Sequence, residues 1–198
     1  MSPLTRGFAE PAREAQAAFR VLMTAMSRPA TVHPFAAAVT PPPPLSPELA
    51  AIALSLADPD APIWLDPPLA AVPAIADYLR FHTGAKIVGR PDEAAFALVS
   101  NPLACPYLDR FAQGLDAYPD RSTTVVLALA TLDAGSALRF RGPGIDGVAG
   151  LDAAPLPRAF AAELDSNHAL FPRGVDLVLL APGRLAALPR SARRIEGA

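Results

Sequence analysis

Between Glu10 and Ser27 the apolar residues Ala15, Phe19, Leu22, Met23 and Met26 recur at helical spacing, which predicts an amphipathic helix that Pro29 stops. The segment Thr31 to Phe35 reads as a short strand, confined to an edge by Pro34. Pro41-Pro42-Pro43-Pro44 reads as a stiff polyproline II spacer that leads to a helix cap at Ser46, with Pro47 in the first turn. A helix from Pro47 to Asp58 presents Leu49, Ile52 and Leu56 to a core, and Pro59 closes it. Pro62 to Leu65 follows as a strand. Asp66 is placed to cap a further helix that opens at Pro67, kinks at Pro73 and runs on through Ile75, Tyr78 and Leu79.

Ala85 to Val88 and Ala95 to Val99 are short apolar runs without alternation, as in strands covered on both faces. Cys105 to Gln113 reads as helical and Gly114 as its end. Ser122 to Leu132 and Ala137 to Phe140 read as a β-hairpin turning at Asp133-Ala134-Gly135-Ser136. Leu156 to Leu170 is a last helix, and Val175 to Leu180 with Leu185 to Leu188 form a second hairpin about Pro182-Gly183. Helices interspersed with buried strands predict an α/β chain: a three-layer α/β/α sandwich around a central mixed sheet. A chain of 198 residues suits one domain, 1–198, with short flexible tails at both ends.

Composition narrows the function classes. No apolar run reaches the ~18 residues that span a bilayer, and the N-terminal segment has no uninterrupted apolar stretch of a secretory signal, so the expected compartment is the cytoplasm. A net charge of −2 sets nucleic acid aside. The single Cys105 gives neither an internal disulfide nor the thiolates of an iron–sulfur cluster. Lys86 is the only lysine among 17 cationic residues, so the abundance of arginine is not in itself a sign of phosphate binding.

The candidate chemistry is sparse. Gly142-Pro143-Gly144-Ile145-Asp146-Gly147 spells G-x-G-x-x-G, but Gly150, Pro155 and Pro157 follow where a dinucleotide fold needs a helix. His33, His82 and His168 lack metal-ligand spacing, and no metal or cofactor is expected. Cys105 as a nucleophile beside His82 or His168, and Lys86 as a Schiff-base amine, are the weaker readings beside a buried thiol and a solvated amine. The most site-like stretch is Leu79-Arg80-Phe81-His82-Thr83-Gly84, whose donors either converge on an anion or cap the helix end. An anion site would draw on Arg80, His82, Thr83 and Arg141.

Several segments carry a family resemblance: Ala15-Gln16, Phe19-Arg20, Leu22 and Ala25-Met26-Ser27; Leu56-Ala57-Asp58 leading to Ala61-Pro62-Ile63-Trp64-Leu65; Leu79-Arg80-Phe81-His82-Thr83; Leu138 with Arg141-Gly142-Pro143-Gly144-Ile145; Asn167, Phe171-Pro172, Gly174 and Val175-Asp176-Leu177; and Leu188-Pro189-Arg190. In this order, from about Phe8 to Arg190, they resemble the PhnH family, the H subunit of the bacterial carbon-phosphorus lyase core complex. Two positions depart from it: Ala30 stands where the family commonly has glycine, and Lys86 is not a residue the family requires.

The resemblance implies a fold related to pyridoxal-phosphate-dependent transferases without the cofactor site, a homodimer when isolated, and assembly with the G, I and J subunits. It implies a role in organic phosphonate catabolism, in the assembly that forms ribose 1-methylphosphonate 5-triphosphate from methylphosphonate and ATP before the J subunit's radical chemistry. The H subunit is accessory there, a subunit of a transferase complex with no catalytic residue to carry over. The alternative from another class is a stand-alone small-molecule enzyme or a phosphonate- or nucleotide-binding module.

Overall fold

A computed structural model describes residues 6–196, and the tail positions 1–5 and 197–198 lie outside the described residues. In chain order the elements are α1 (Pro11–Ser27), β1 (His33–Pro34), α2 (Pro47–Leu56), β2 (Ile63–Leu65), α3 (Pro67–Ala70), α4 (Pro73–Thr83), β3 (Ile87–Val88), β4 (Phe96–Val99), β5 (Gln113–Leu115), β6 (Tyr118–Ser122), β7 (Thr124–Ala128), β8 (Thr131–Arg141), β9 (Ala149–Ala154), α5 (Phe160–Ala169), β10 (Asp176–Ala181), β11 (Arg184–Leu188) and β12 (Arg193–Ile195). A seven-stranded mixed sheet in the order β1-β11-β10-β7-β4-β2-β3 forms the centre. Strands β10, β7, β4, β2 and β3 run parallel, and β11 is antiparallel to both of its neighbours.

Strand periodicity divides the core in two. Ile63, Leu65, Leu98, Val126, Val178 and Leu180 point to one face, where Leu22 of α1, Leu49 and Ile52 of α2 and Ile75 and Tyr78 of α4 cover them. Trp64, Val99, Val125, Leu127, Leu177 and Leu179 point to the other. There α5 contributes Phe160 and Leu164, but Phe140 and Leu151 come from a second, antiparallel sheet, β12-β8-β9. The expected outer helical layer on this side is thus shared between one helix and a small sheet. Each fully buried leucine or phenylalanine contributes about 1.5–3 kcal/mol of transfer free energy.

Ser46 caps α2 as its sequence predicts, accepting from the Leu49 N–H at 3.2 Å. Elsewhere the structure departs from the pattern. Helix α1 buries Ala18, Leu22 and Ala25, while Phe19 and Met23 are 45% and 49% exposed. Alanines admit the close approach of α1 to α2 and β11, and the larger side chains are turned outward. The Pro43–Pro44 peptide is cis and the Leu45 N–H bonds the Pro42 carbonyl, so the tetraproline run is a turn rather than an extended spacer. Pro73 begins a new helix instead of kinking one, with Val72 extended between α3 and α4.

Cys105 to Gln113 is not a helix. Two 3-10 turns, Pro102–Ala104 and Leu108–Arg110, occupy this region, and Cys105, which precedes Pro106, is extended. Gly114 lies within β5, which pairs with β6. The hairpin read over 122–140 is also absent: β7 is a central strand, and β8 runs straight through Asp133 to Ser136 and pairs with β9. The ladder shifts register between Ala134 and Leu138, where the Asp152 carboxylate accepts from the Ser136 and Ala137 N–H groups at 2.9 and 2.8 Å. Gly135 therefore sits in a bulge rather than a turn. Helix α5 starts at Phe160, after Pro155 and Pro157. The β10–β11 hairpin forms as expected.

Candidate functional site

The C-terminus of α4 holds Arg80, His82 and Thr83. The Thr83 hydroxyl donates to the Leu79 carbonyl at 2.7 Å and accepts from the Ala85 N–H at 3.0 Å. Gly84 takes a left-handed conformation, φ 72°, and its N–H bonds the Arg80 carbonyl, closing the helix. Arg80 is exposed and pairs with Asp77 one turn back at 3.6 Å, while the His82 ring packs edge-on against Tyr78 and Phe81. These three residues come together as a helix terminus. Arg141 is not with them: it ends β8, beyond the opposite face of the central sheet from α4.

Parallel α/β sheets hold ligands at the carboxyl ends of their strands. At the ends of β2 and β4 that position is filled from within. Asp66, 1% exposed, accepts from the Ser100 N–H at 2.7 Å, the Asn101 N–H at 2.9 Å, the Ser100 hydroxyl at 3.0 Å and the Leu69 N–H at 3.3 Å. The carboxylate thus takes the backbone donors that a bound anion would otherwise meet. Its cap on α3 is readable in the sequence; its bonds to Ser100 and Asn101 are not, because they join segments 34 and 35 residues apart.

Around α5 the polar side chains are likewise committed to the chain itself. The Asn167 amide donates to the Val175 carbonyl at 2.9 Å and accepts from the Val175 N–H at 2.8 Å. Asp176 accepts from the Arg190 backbone N–H at 2.8 Å and from its guanidinium at 2.6 and 3.1 Å. These two side chains are only 16% and 14% exposed, and the same guanidinium reaches the Pro119 carbonyl and the Ser122 hydroxyl, binding β10 to the strand β6. Gly144, φ 79°, turns the chain against the end of α1, where a Cβ would lie 2.1 Å from the Ser27 carbonyl oxygen.

A cavity of about 290 Å³ opens between α5 and the Leu108–Arg110 turn, walled by Leu108, Ala159, Ala162, Leu170 and the stem of Glu163. Gln113 directs its amide N–H groups to the Leu108 and Phe111 carbonyls, and Glu163 accepts from the Leu108 N–H at 2.9 Å. Burial pushes the Glu163 carboxyl above its ordinary value, and the neighbouring Asp109 adds to this against the opposing Leu108 bond.

Nearby, burial first, then the charges of Glu163 and Asp66, push the Cys105 thiol up to about 12. A nucleophile needs the opposite environment. Lys86 is exposed beside β3. Among the described residues no three His, Cys, Asp or Glu side chains gather in a way that would hold a metal ion, and no helix is long and apolar enough to cross a membrane.

The bonds of Thr83, Asn167, Asp176 and Arg190 fall on segments that carried the resemblance, and comparison with known proteins agrees. A family model for the bacterial phosphonate metabolism protein (PhnH) matches residues 6–195. The chain belongs to the PhnH family. The alpha-D-ribose 1-methylphosphonate 5-triphosphate synthase subunit PhnH of Rhizobium meliloti (strain 1021) is 43% identical over 188 residues, covering 94% of this chain and 92% of that protein. A protein of Stutzerimonas stutzeri named "Putative C-P lyase subunit protein HtxG" is 30% identical over 176 residues, covering 89% of this chain and 83% of its own length. Asn167, Asp176, Arg190 and Gly144, which carried part of the resemblance, join one element of this fold to another, and Thr83 closes the end of α4. Ala30 adopts φ 60° and bonds the Ala187 carbonyl through its N–H. The chain thus has a left-handed turn with an alanine in it.

Proposed function

We propose that the chain is an accessory, structural subunit of the assembly that forms ribose 1-methylphosphonate 5-triphosphate from methylphosphonate and ATP, joined there to the G, I and J subunits. The observation that carries this reading is the likeness, along almost the whole chain, to a protein named as a subunit of that synthase. The side-chain geometry supports it: Asp66 at the strand ends, Thr83 at the α4 terminus and Asn167 on α5 are taken up by the chain's own backbone. Large apolar side chains left outside, such as Phe19 and Met23 one turn apart on α1, suit contact with other chains, a homodimer in isolation included.

In this reading the chain works in the cytoplasm as one domain, since both core clusters share one central sheet and the lone cysteine needs no oxidising compartment. The family's likeness to pyridoxal-phosphate-dependent transferases belongs to the same reading, and the large mixed sheet with helices agrees with it.

The test is growth of a strain lacking this chain's gene on methylphosphonate as sole phosphorus source. The wild-type chain should restore growth, and so should a soluble Arg80→Ala, His82→Ala, Thr83→Ala variant. A folded variant that fails to restore growth would favour the anion-site alternative.

A further inference from the structure

Arg141 acquires neighbours that only the sheet register reveals. In the β12–β8 ladder Arg193 lies directly opposite Arg141, and Ile195 opposite Arg139. Opposed residues share a face, and residues two apart on one strand do as well. Phe140, between the two β8 arginines, is 1% exposed and points into the core, and its partner Arg194 turns the same way to the Asp165 carboxylate of α5. Arg139, Arg141 and Arg193 therefore stand together on the outer face of this sheet.

Opposed residues in such a ladder have Cβ atoms about 4.5–5.5 Å apart, and like charges so placed are destabilising. Several arginines elsewhere are answered by carboxylates, Arg190 by Asp176, Arg194 by Asp165, Arg184 by Asp133 and Arg173 by Asp116, whereas among the described residues Arg20, Arg28, Arg121 and Arg158, like these three, are not. Among the described residues Arg139, Arg141 and Arg193 form no ion pair. The acid on the neighbouring strand β9 nearest in register, Asp152, is held by the Ser136 and Ala137 N–H groups. Beside the arginines the face carries Gly150, opposite Arg139, and Ile195.

We infer that this arginine face is a docking surface for a partner chain, and that the partner presents a cluster of carboxylates to it. Three guanidiniums without an ion pair on one sheet face match a row of carboxylates, each able to take a bidentate fork. A small ligand calls for a concavity that buries most of its surface; the cavity of about 550 Å³ beside Arg193 is lined by Asp165 and Glu196 as well, which does not suit a small anion. This inference rests on the proposal that the chain assembles with other subunits, and it identifies one surface that does so.

The experiment compares wild type with an Arg139→Gln, Arg141→Gln, Arg193→Gln variant for association with the co-purified G, I and J chains over a series of salt concentrations. A control variant, Arg13→Gln, Arg110→Gln, Arg158→Gln, removes the same charge from exposed positions elsewhere. Loss of electrostatic steering should slow association about tenfold or more at low salt and flatten its salt dependence, with the control unchanged. Removal of like-charge repulsion should leave the melting temperature level or raised; a fall of several degrees would make the arginines structural and overturn the inference. Association of the triple variant at the wild-type rate would overturn it too and leave the subunit proposal standing, whereas wild type that fails to associate removes both. Tight binding of tripolyphosphate to the isolated chain, lost in the triple variant, would assign the face to a small anion instead.

Discussion

Replacing Asp66 tests the internal closure of the strand ends. In Asp66→Ala the Ser100 and Asn101 N–H groups, now at 2.7 and 2.9 Å from a carboxylate oxygen, lose their acceptor in a buried setting. Each buried donor left without a partner costs about 1–3 kcal/mol, and the lost α3 cap adds about 1 kcal/mol. Removing a desolvated carboxylate that has no cation partner offsets part of this, leaving a net loss of about 3 kcal/mol.

Asp66→Asn should be much milder. Its amide oxygen can face the same two N–H groups, and its NH2 then meets the Ser100 hydroxyl, which rotates from donor to acceptor. The Ser100 hydroxyl exchanges its donated bond for an accepted one and the 3.3 Å bond from Leu69 is lost, at a net cost of about 1 kcal/mol. With a urea m-value of about 2 kcal/mol/M for a chain of this size, the midpoint should fall by about 1.5 M in the alanine variant and about 0.5 M in the asparagine variant. An alanine variant as stable as wild type, or an asparagine variant worse than alanine, would refute the reasoning that Asp66 serves as an internal anchor for those donors.

Three further outcomes follow from the geometry. Gly144→Ala should cost about 2 kcal/mol or more in urea unfolding, because it meets both the left-handed penalty and the Ser27 carbonyl oxygen. For Glu163 the folded-state value is raised, so its contribution to stability is fully present below the unfolded value and is lost as pH rises through the folded one. Wild type minus Glu163→Gln should therefore show stability declining upward from about pH 4.3, the unfolded carboxyl value, with no change above the folded value; a difference curve that rises with pH contradicts the assignment. Cys105, with its thiol pushed up to about 12, should react with iodoacetamide at pH 8 about a thousandfold more slowly than free cysteine, which has a pKa of about 8.5. Labelling at the free rate would restore the nucleophile reading.

The central strands are legible because β2, β4 and β10 are continuous apolar runs, and α2 because Ser46, Pro47 and its apolar spacing all agree. Helix α1 is legible in extent but not in orientation: a hydrophobic stripe counts Phe19 and Met23 as interior, whereas the packed face is made by Ala18, Leu22 and Ala25. Local rules fail where distant groups decide. Nothing near Gly135 announces that Asp152, on another strand, will hold a bulge there. Cys105 to Gln113 has helix-compatible residues, yet Pro106 holds Cys105 extended. Arg141 is visible as a candidate in the sequence, but its companions Arg139 and Arg193 are defined by a strand register that joins residues 52 apart in the chain at the Arg141–Arg193 pair.

Light scattering on the chain co-expressed with the G, I and J subunits tests the accessory-subunit account most directly. The account predicts that the chain elutes wholly within a larger particle, in whole-number ratio to the other three. A G, I and J assembly that forms without it, while the chain elutes at its own mass under reducing, low-salt conditions, would contradict the account.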